Sequence, residues 1–551
     1  MNPRGGTVGA TVRVVLAAIA CTSVMNVSLT RSAHGQPGWT ASATQTGDPA
    51  TLELWSPLSP IALHQRALPR APAAPQIILL TRPFTGAFWT AGNPAALAAE
   101  AGEPHGELRA GASGAEGAYR RPLDAPESHA VQLSGLAWRP LGEHAGAVGR
   151  IILDQEDVPV SEPTLRIEPY VSNPFVLTDT ISPRMVRSRA RLEGGMGWSY
   201  RGWRIGGSAG IESREQRSQF SSIRRAGRAT LPGITLGVAR RLPIGQMWLG
   251  ARGRWTGGNE TGSTAPPPNA STRLFVLRGL DEPEAVNAPG VPTLRRIESS
   301  AKSFGVDLAG ELLGARYVVY ADRTEREETQ ISTLAANPPS DRWEAEGMVL
   351  GGSLQRELPR SVVVTIITRF STIEGTATRA DLEGTVFDAE ESRFLLSFDA
   401  RWIPASGGWR GGLRVQTARD WSVRTDYLAE LRSEIEAWSP GASAEIVRRV
   451  GADGWISAAV GRTWYSAAST IPAPDELGPE YRRLIAPELA LMGRAAMGTG
   501  VTFTVWQPVG GSNVWLRAHR ETLSPSDREP IPSLAPEGDR SGWQLSLGLR
   551  L

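Results

Sequence analysis

Apolar and polar side chains alternate along the chain from about residue 129 to its end. In "VRSRARLEGGMGWSY" (residues 186–200), Leu192, Met196 and Trp198 share one parity, and Arg189 and Arg191 share the other. The same period recurs in "GQMWLGARGRW" (245–255), "SRFLLSFDARW" (392–402), "WRGGLRVQT" (409–417) and "SGWQLSLGLRL" (541–551). A period of two places alternate side chains on opposite faces of a strand. One apolar and one polar face predicts an antiparallel, all-β fold.

The polar face carries charge on many of these strands, which the solvated face of a soluble sandwich does not require. An apolar outer band around a wet, charged lumen explains both faces and predicts a closed antiparallel transmembrane β-barrel. We expect its lumen to be lined by Arg187, Arg189, Arg191, Arg204, Arg252, Arg254, Arg393, Asp399, Arg401, Arg410 and Arg414.

The excess of arginine on this face has two interpretations. A basic wall would favour the passage of anions, because rings of charge set the selectivity of a pore. Ion pairs across the lumen that only brace the barrel are the alternative, since "AELRSEIEAW" places Glu430, Glu434 and Glu436 on the same predicted face.

Five tryptophans lie close to predicted short turns: Trp198, Trp203, Trp402, Trp409 and Trp455. Indole rings concentrate at membrane interfaces, where the ring body is in the acyl region and the N–H is near water. We therefore predict that these five form part of an interfacial aromatic girdle.

The segment 129–551 resembles the porin-like outer-membrane β-barrel proteins of Gram-negative bacteria. The resemblance is architectural and matches no particular subfamily. It implies an integral protein of the bacterial outer membrane, in contact with lipid and lipopolysaccharide and inserted by the barrel-assembly machinery. Such proteins usually finish on an aromatic residue, whereas this chain finishes on Leu551.

Composition supports this class and excludes others. The 551 residues carry a formal net charge of only +2, which gives no indication of a nucleic-acid partner. After the N-terminus no run of about 18 apolar residues occurs, so transmembrane helices are not expected. The only cysteine, Cys21, lies in the apolar stretch "VVLAAIACTSVMNV". With Arg4 and Arg13 before that stretch and "SAHGQ" after it, residues 1–35 are predicted to be an export signal.

Residues 36–128 are rich in alanine, proline and glycine and show no sustained period. This composition is typical of a mostly irregular leader or linker. A plug inside the pore and a docking segment for a periplasmic partner are the alternatives.

No constellation of residues predicts catalysis. The six histidines lack metal-ligand spacing, and the sequence contains no nucleophile elbow, P-loop, H-E-x-x-H or EF-hand pattern. His519 shares its parity with Arg517, and we interpret it as a hydrogen-bonded lumenal histidine. We expect no catalytic residue, no metal and no cofactor.

Two stretches allow more than one structure. "TDYLAELRSEIEAW" (425–438) fits a helix, a hairpin or a strand, and we interpret 409–437 as one extended strand. Residues 486–506 keep one parity and are predicted to form one long strand. Counting back from the C-terminus then gives about 18 strands, with 16 the next best number. Both termini are predicted to be periplasmic, with 257–303 as the longest outer loop.

The leading functional hypothesis is a porin-like channel for passive passage of small polar or charged solutes. The alternatives are a non-conducting barrel with a structural, adhesion or export role, a barrel enzyme, and a secreted soluble β-protein.

Overall fold

The structure is a computed structural model. It describes residues 92–98, 104–119, 125–159, 175–179, 184–218, 224–243, 246–265, 274–278, 283–286, 293–332, 340–382, 384–404, 407–451, 453–470, 485–526 and 538–551. The predicted export signal and most of the predicted leader lie outside the described residues.

The described chain is almost entirely β. Its first half contains a 3-10 helix, Pro94–Ala98, and the strands β1 (His105–Gly117), β2 (Glu127–Pro140), β3 (Ala145–Val158), β4 (Phe175–Asp179), β5 (Met185–Tyr200), β6 (Trp203–Ser218), β7 (Arg224–Arg241), β8 (Trp248–Ala265), β9 (Leu274–Arg278), β10 (Pro283–Val286) and β11 (Thr293–Leu312).

The described residues of the second half contain one α-helix, α1 (Ala486–Met492), and the remaining strands. These are β12 (Ala315–Ser332), β13 (Ser340–Leu358), β14 (Val362–Arg379), β15 (Gly384–Trp402), β16 (Trp409–Asp426), β17 (Leu431–Trp438), β18 (Gly441–Val450), β19 (Gly454–Thr470), β20 (Ala496–Val509), β21 (Ser512–Pro525) and β22 (Arg540–Arg550).

These strands close into one antiparallel barrel of 18 positions, as the sequence predicted. Closure joins the first and last barrel strands, where the N–H of Leu551 donates to the carbonyl of Gly106 at 2.9 Å. β4, β9 and β10 form a separate three-stranded sheet, and β17 and β18 share one barrel position. Closure leaves the barrel sheet without an unpaired edge, which lipid would not tolerate.

The barrel begins earlier than predicted. β1 starts at His105 and pairs with both β2 and β22, so the boundary at residue 129 is wrong. The sequence of β1, "HGELRAGASGAEG", consists largely of glycine, alanine and glutamate, residues with little strand propensity. Pairing on both sides makes it a strand, although its composition resembles a linker.

Connections at the two ends of the barrel differ in length. At the end that carries Leu551 the turns are tight, and in the two-residue turns 201–202, 313–314 and 510–511 both central residues have positive φ. Such turns match the twist of a hairpin, which explains a glycine in each. Longer connections lie at the opposite end. The connection 266–292 is the longest between barrel strands and joins them at the end opposite the C-terminus, as predicted. The predicted bounds 257–303 are wrong, because 257–265 continue β8 and 293–303 begin β11.

The interpretation of 409–437 as a single strand is wrong. A hairpin separates β16 from β17, and the carboxylate of Asp426 accepts hydrogen bonds from the N–H groups of Leu428 (3.0 Å) and Ala429 (3.1 Å). Pro440 only interrupts the ladder, because β17 and β18 keep the same register against β16. The hairpin reverses the predicted parity, so Glu434 and Glu436 lie on the outer face. The number of barrel strands is unchanged, because residues 431–450 occupy a single strand position in the barrel.

The predicted long strand 486–506 is also wrong, because its first part is α1. Pro487 lies in the first turn, where a missing N–H costs nothing, and Gly493 caps the end with its N–H on the carbonyl of Leu489. Five of the seven helical residues are buried. A helix that is apolar nearly all round belongs in an interior. Within the described residues, no helix is long and apolar enough to cross a membrane.

The outer face of the barrel is apolar and exposed. Leu192 is 59% exposed and Leu236 is 64% exposed, and similar side chains continue around the barrel. Strands of up to 20 residues exceed the roughly 9–11 residues needed to span a bilayer. A closed barrel with such an outer face is the architecture of an integral protein of the bacterial outer membrane, and we place the chain there.

Candidate functional site

The inner wall of the barrel carries the charged residues selected from the sequence. On β5, Arg191 is 2% exposed while the adjacent Leu192 is 59% exposed, so the two side chains lie on opposite faces. All eleven predicted lumenal residues occupy the face opposite the exposed apolar side chains.

The first charged network joins β3, β5 and β6. Arg191 contacts Glu193 at 2.8 Å and Glu212 at 3.6 Å, and Arg189 donates to Glu212 at 3.0 Å. Glu212 also contacts Arg214, and Arg150 lies 3.7 Å from Glu193. The carboxylates are almost fully buried, so each arginine offsets a charge that could not remain unpaired there.

Two further networks repeat this arrangement. On β8, Arg252 contacts Asp307 of β11 at 2.8 Å and also Asp322 of β12. On β15, Asp399 accepts from Arg401 at 2.7 Å and from Arg414 of β16 at 3.1 Å.

These pairs lie within one strand or join strands at most two positions apart, and none of them crosses the lumen. Neither interpretation describes these networks as stated: the arginine charge is neutralised, but by carboxylates along the wall and not across the lumen. Much of the positive charge that would make a basic wall is offset by carboxylates.

A short segment of the chain docks against this wall. Asn93 is 0% exposed, and its side-chain amide donates to the Asp307 carboxylate at 3.0 Å. The side-chain oxygen of Asn93 accepts from the N–H of Ala95 at 3.0 Å and so caps the 3-10 helix Pro94–Ala98. We call Asn93–Ala98 the docked segment.

Glycines on neighbouring strands make room for the docked segment. A Cβ atom on Gly206 would lie 2.1 Å from the carbonyl oxygen of Pro94, and one on Gly237 would lie 2.0 Å from the side-chain oxygen of Asn93. On β5, a Cβ on Gly197 would lie 2.4 Å from the nitrogen of Ala98. Real Cβ atoms do not approach so closely, so only glycine allows the docked segment to lie this close to the wall.

Apolar side chains complete the contact. Leu97 is 1% exposed and packs in one cluster with Trp138, Val148, Ala239 and Ala309. These wall residues lie within a few positions of the short turns, so the docked segment sits in the half of the barrel that carries Leu551, the half predicted to be periplasmic.

A second internal element, α1, covers apolar wall residues toward the opposite end. Leu489 and Met492 pack with Trp343, Phe387 and Ile435 in one buried cluster. The Tyr465 hydroxyl donates to the carbonyl of Met492 at 2.8 Å.

Four of the five tryptophans predicted to form the aromatic girdle lie on the outer face, and one does not. Trp198, Trp203, Trp402 and Trp409 are 57%, 42%, 45% and 47% exposed on the outer face. Trp455 is 8% exposed and lies inside, with the guanidinium of Arg410 3.9 Å from its ring centroid. Trp455 lies near a turn, as predicted, but it belongs to the set of alternate residues that face the inner wall.

His519 also lies inside, where its ring nitrogen is 2.9 Å from the Thr502 hydroxyl. Among the described residues, no group of three histidine, cysteine or acidic side chains is placed to hold a metal ion.

The sequence pattern did not predict the docked segment, the role of Asp307, or the wall glycines Gly197, Gly206 and Gly237 that make room for the docked segment. Two signals were present. "GNPAALA" pairs an Asn cap with a following proline, and glycines recur at inner-face positions of β5, β6 and β7. Neither signal alone predicts that the docked segment contacts the glycines of the wall, because the contact spans more than 100 residues of sequence.

No protein-family model matches the sequence, and no curated protein matches it. Solved structures with a similar fold include the ferric preacinetobactin receptor BauA from Acinetobacter baumannii, at 11% identity over 82% of this chain and 80% of that one, with a TM-score of 0.37. The copper transporter OprC is 9% identical over 82% and 81%, with a TM-score of 0.40. The ferric citrate transporter FecA is 10% identical over 80% and 78%, with a TM-score of 0.32.

At these values the likeness concerns the barrel fold alone, and we draw no function from it. The closed strand order and the apolar outer face identify the chain as an outer-membrane β-barrel protein that matches no specific family.

Proposed function

We propose that the protein is an outer-membrane channel for passive passage of small polar or charged solutes. The observation that carries the proposal is the closed barrel of 18 positions with a charged inner wall. Barrels of about 16–18 strands are wide enough for an aqueous path, whereas barrels of about eight strands are filled by side chains.

The docked segment restricts this path in our proposal. It covers the inner wall along β3 and β5–β8 in the periplasmic half, and it is held there by polar contacts as well as by packing. We therefore expect a conductance below that of an unobstructed barrel of the same strand number.

Planar-bilayer recording of the full chain tests the channel. We expect stepwise conductance from protein whose heat-modifiable gel mobility shows a folded barrel. A Gly206→Leu variant places a side chain where Pro94 now lies and should raise the conductance by displacing the docked segment. Gly149→Leu is the matched control, because a Cβ there meets nothing within 4 Å.

A non-conducting barrel is the second candidate, and a specific observation favours it. Both the docked segment and α1 lie against the inner wall, so two internal elements occupy space that an open pore would need. Absence of conductance steps from both the folded wild type and Gly206→Leu would favour this candidate over the channel.

A further inference from the structure

A cluster of arginines and aromatic rings lies on the outer face at the periplasmic boundary. It surrounds the turn Arg201–Gly202 between β5 and β6. Trp198, Tyr200 and Trp203 are 57%, 54% and 42% exposed, although each has a large apolar ring. Exposed rings at this level are expected to lie in the interfacial region of the bilayer.

Each of two arginines lies over one of these rings. The guanidinium carbon of Arg201 is 5.0 Å from the Tyr200 ring centroid, and that of Arg240 is 4.9 Å from the Trp203 ring centroid. Trp203 and Arg240 are direct cross-strand partners. This geometry holds the guanidinium by a cation–π contact while its N–H groups remain free to bind an anion.

The same pairing recurs on another part of the barrel. Trp409 and Arg448 are direct cross-strand partners, with the guanidinium 5.1 Å from the ring centroid. In both cases the tryptophan is the first residue of a strand that follows a periplasmic turn. A third cross-strand pair, Arg419 with Trp438 at 5.5 Å, lies farther from the short turns, and there Glu436 also contacts the arginine.

The counter-ions of exposed arginines differ between the two ends of the barrel. Toward the outer end, Arg323 contacts Glu346 at 3.0 Å, Arg342 contacts Glu327 at 3.0 Å, and Arg419 contacts Glu436 at 2.8 Å.

At the periplasmic end, Arg449 is paired with Asp453. For Arg201, Arg240 and Arg448, by contrast, no carboxylate among the described residues lies at ion-pair distance. The neighbours of these three arginines are aromatic rings.

We propose that Arg201 and Arg240 bind the phosphate of an anionic phospholipid in the periplasmic leaflet, and that Arg448 forms a second such site. A guanidinium presents paired N–H donors that match phosphate oxygens, so Arg suits this ligand better than Lys. The ring beneath each guanidinium lies at the level of the glycerol backbone and upper acyl chain. This binding is independent of any conductance by the lumen.

Native mass spectrometry of the full chain in a neutral detergent tests the site, with added phosphatidylglycerol as the probe. We expect retained lipid adducts on the wild type, and an apparent affinity about twenty-five-fold lower for Arg201→Gln/Arg240→Gln, from about fivefold for each basic residue at a membrane surface. Diacylglycerol, which lacks the phosphate, should leave no comparable adduct on the wild type.

Arg323→Gln/Arg342→Gln is the matched control, since it removes two exposed arginines that already have carboxylate partners. It should retain phosphatidylglycerol as the wild type does. Heat-modifiable mobility confirms that each variant is folded. Equal retention by the Arg201/Arg240 variant and the wild type would overturn the proposal, and so would an equal loss in the control or equal binding of diacylglycerol.

Discussion

Replacement of Asn93 by alanine should weaken the attachment of the docked segment to the inner wall without unfolding the barrel. The side chain is fully buried and makes two kinds of contact, a donated hydrogen bond to the Asp307 carboxylate at 3.0 Å and an accepted one from the N–H of Ala95 at 3.0 Å. Asp307 keeps its ion pair with Arg252 at 2.8 Å in the variant, so the carboxylate is not left unpaired.

The magnitude follows from these two contacts. A hydrogen bond to a charged group contributes about 1.5–3 kcal/mol, and an N-cap contributes about 1 kcal/mol. Because Arg252 still satisfies the carboxylate, we take the lower end and expect a loss of about 2–3 kcal/mol in the free energy of docking. This corresponds to a roughly 30- to 150-fold increase in the undocked population. The packing of Leu97 is retained, so docking is weakened and not abolished.

Amide hydrogen exchange of residues 95–98, followed by mass spectrometry, measures this change. Exchange in the variant should accelerate by about the same 30- to 150-fold factor when it occurs through undocking. Asn513→Ala removes an asparagine next to the short turn 510–511, outside the docked segment, and should leave these rates unchanged. Unchanged rates in Asn93→Ala together with faster exchange in Gly206→Leu would show that packing alone holds the docked segment. This result would refute the role of the Asn93 hydrogen bonds in docking.

Three other substitutions test the wall, an outer turn and α1. Asp399→Asn should leave a net positive charge beside two buried arginines, shifting the reversal potential in a salt gradient toward anions and lowering stability to urea by about 3–5 kcal/mol. The hydrogen bond from Tyr427 to Asp388 raises the pKa of that tyrosine above its usual value near 10. This contact therefore stabilises the turn below pH 10 and is lost as pH rises through the raised pKa; Asp388→Asn should return the ultraviolet titration midpoint toward 10. Tyr465→Phe should cost about 1 kcal/mol, by urea unfolding, through loss of its bond to α1.

The alternation of side chains determined the main architecture of this protein. Period 2 is local, so Arg191 and Leu192 could be assigned to opposite faces without knowledge of any partner strand. Short turns near positions 201 and 510 gave the direction of successive strands. Together these features predicted a closed barrel of 18 positions and the end at which the longest connection lies, and both are present.

Local patterns failed where two structures satisfy the same pattern. Nearly every residue of α1 is apolar, including the alternate positions that a strand would place on one face. Parity therefore could not separate a buried helix from a strand. The turn after Asp426 contains no glycine or proline, whereas Pro440 looked like a turn and is only a break in one ladder. The hairpin after Asp426 reverses the face on which the following residues lie. For this reason the sequence pattern assigns Glu434 and Glu436 to the wrong face.

Only the tertiary structure decided what the inner wall holds. Asp307 meets Arg252 and Asn93 because closure brings β8, β11 and the docked segment together across long sequence separations. Gly206 and Gly237 lie together beneath the docked segment because their strands are neighbours and the two glycines are at one depth of the barrel. Sequence period fixes the face of a residue, but the depth and neighbours of that residue depend on strand register, which is set by the whole closed ladder.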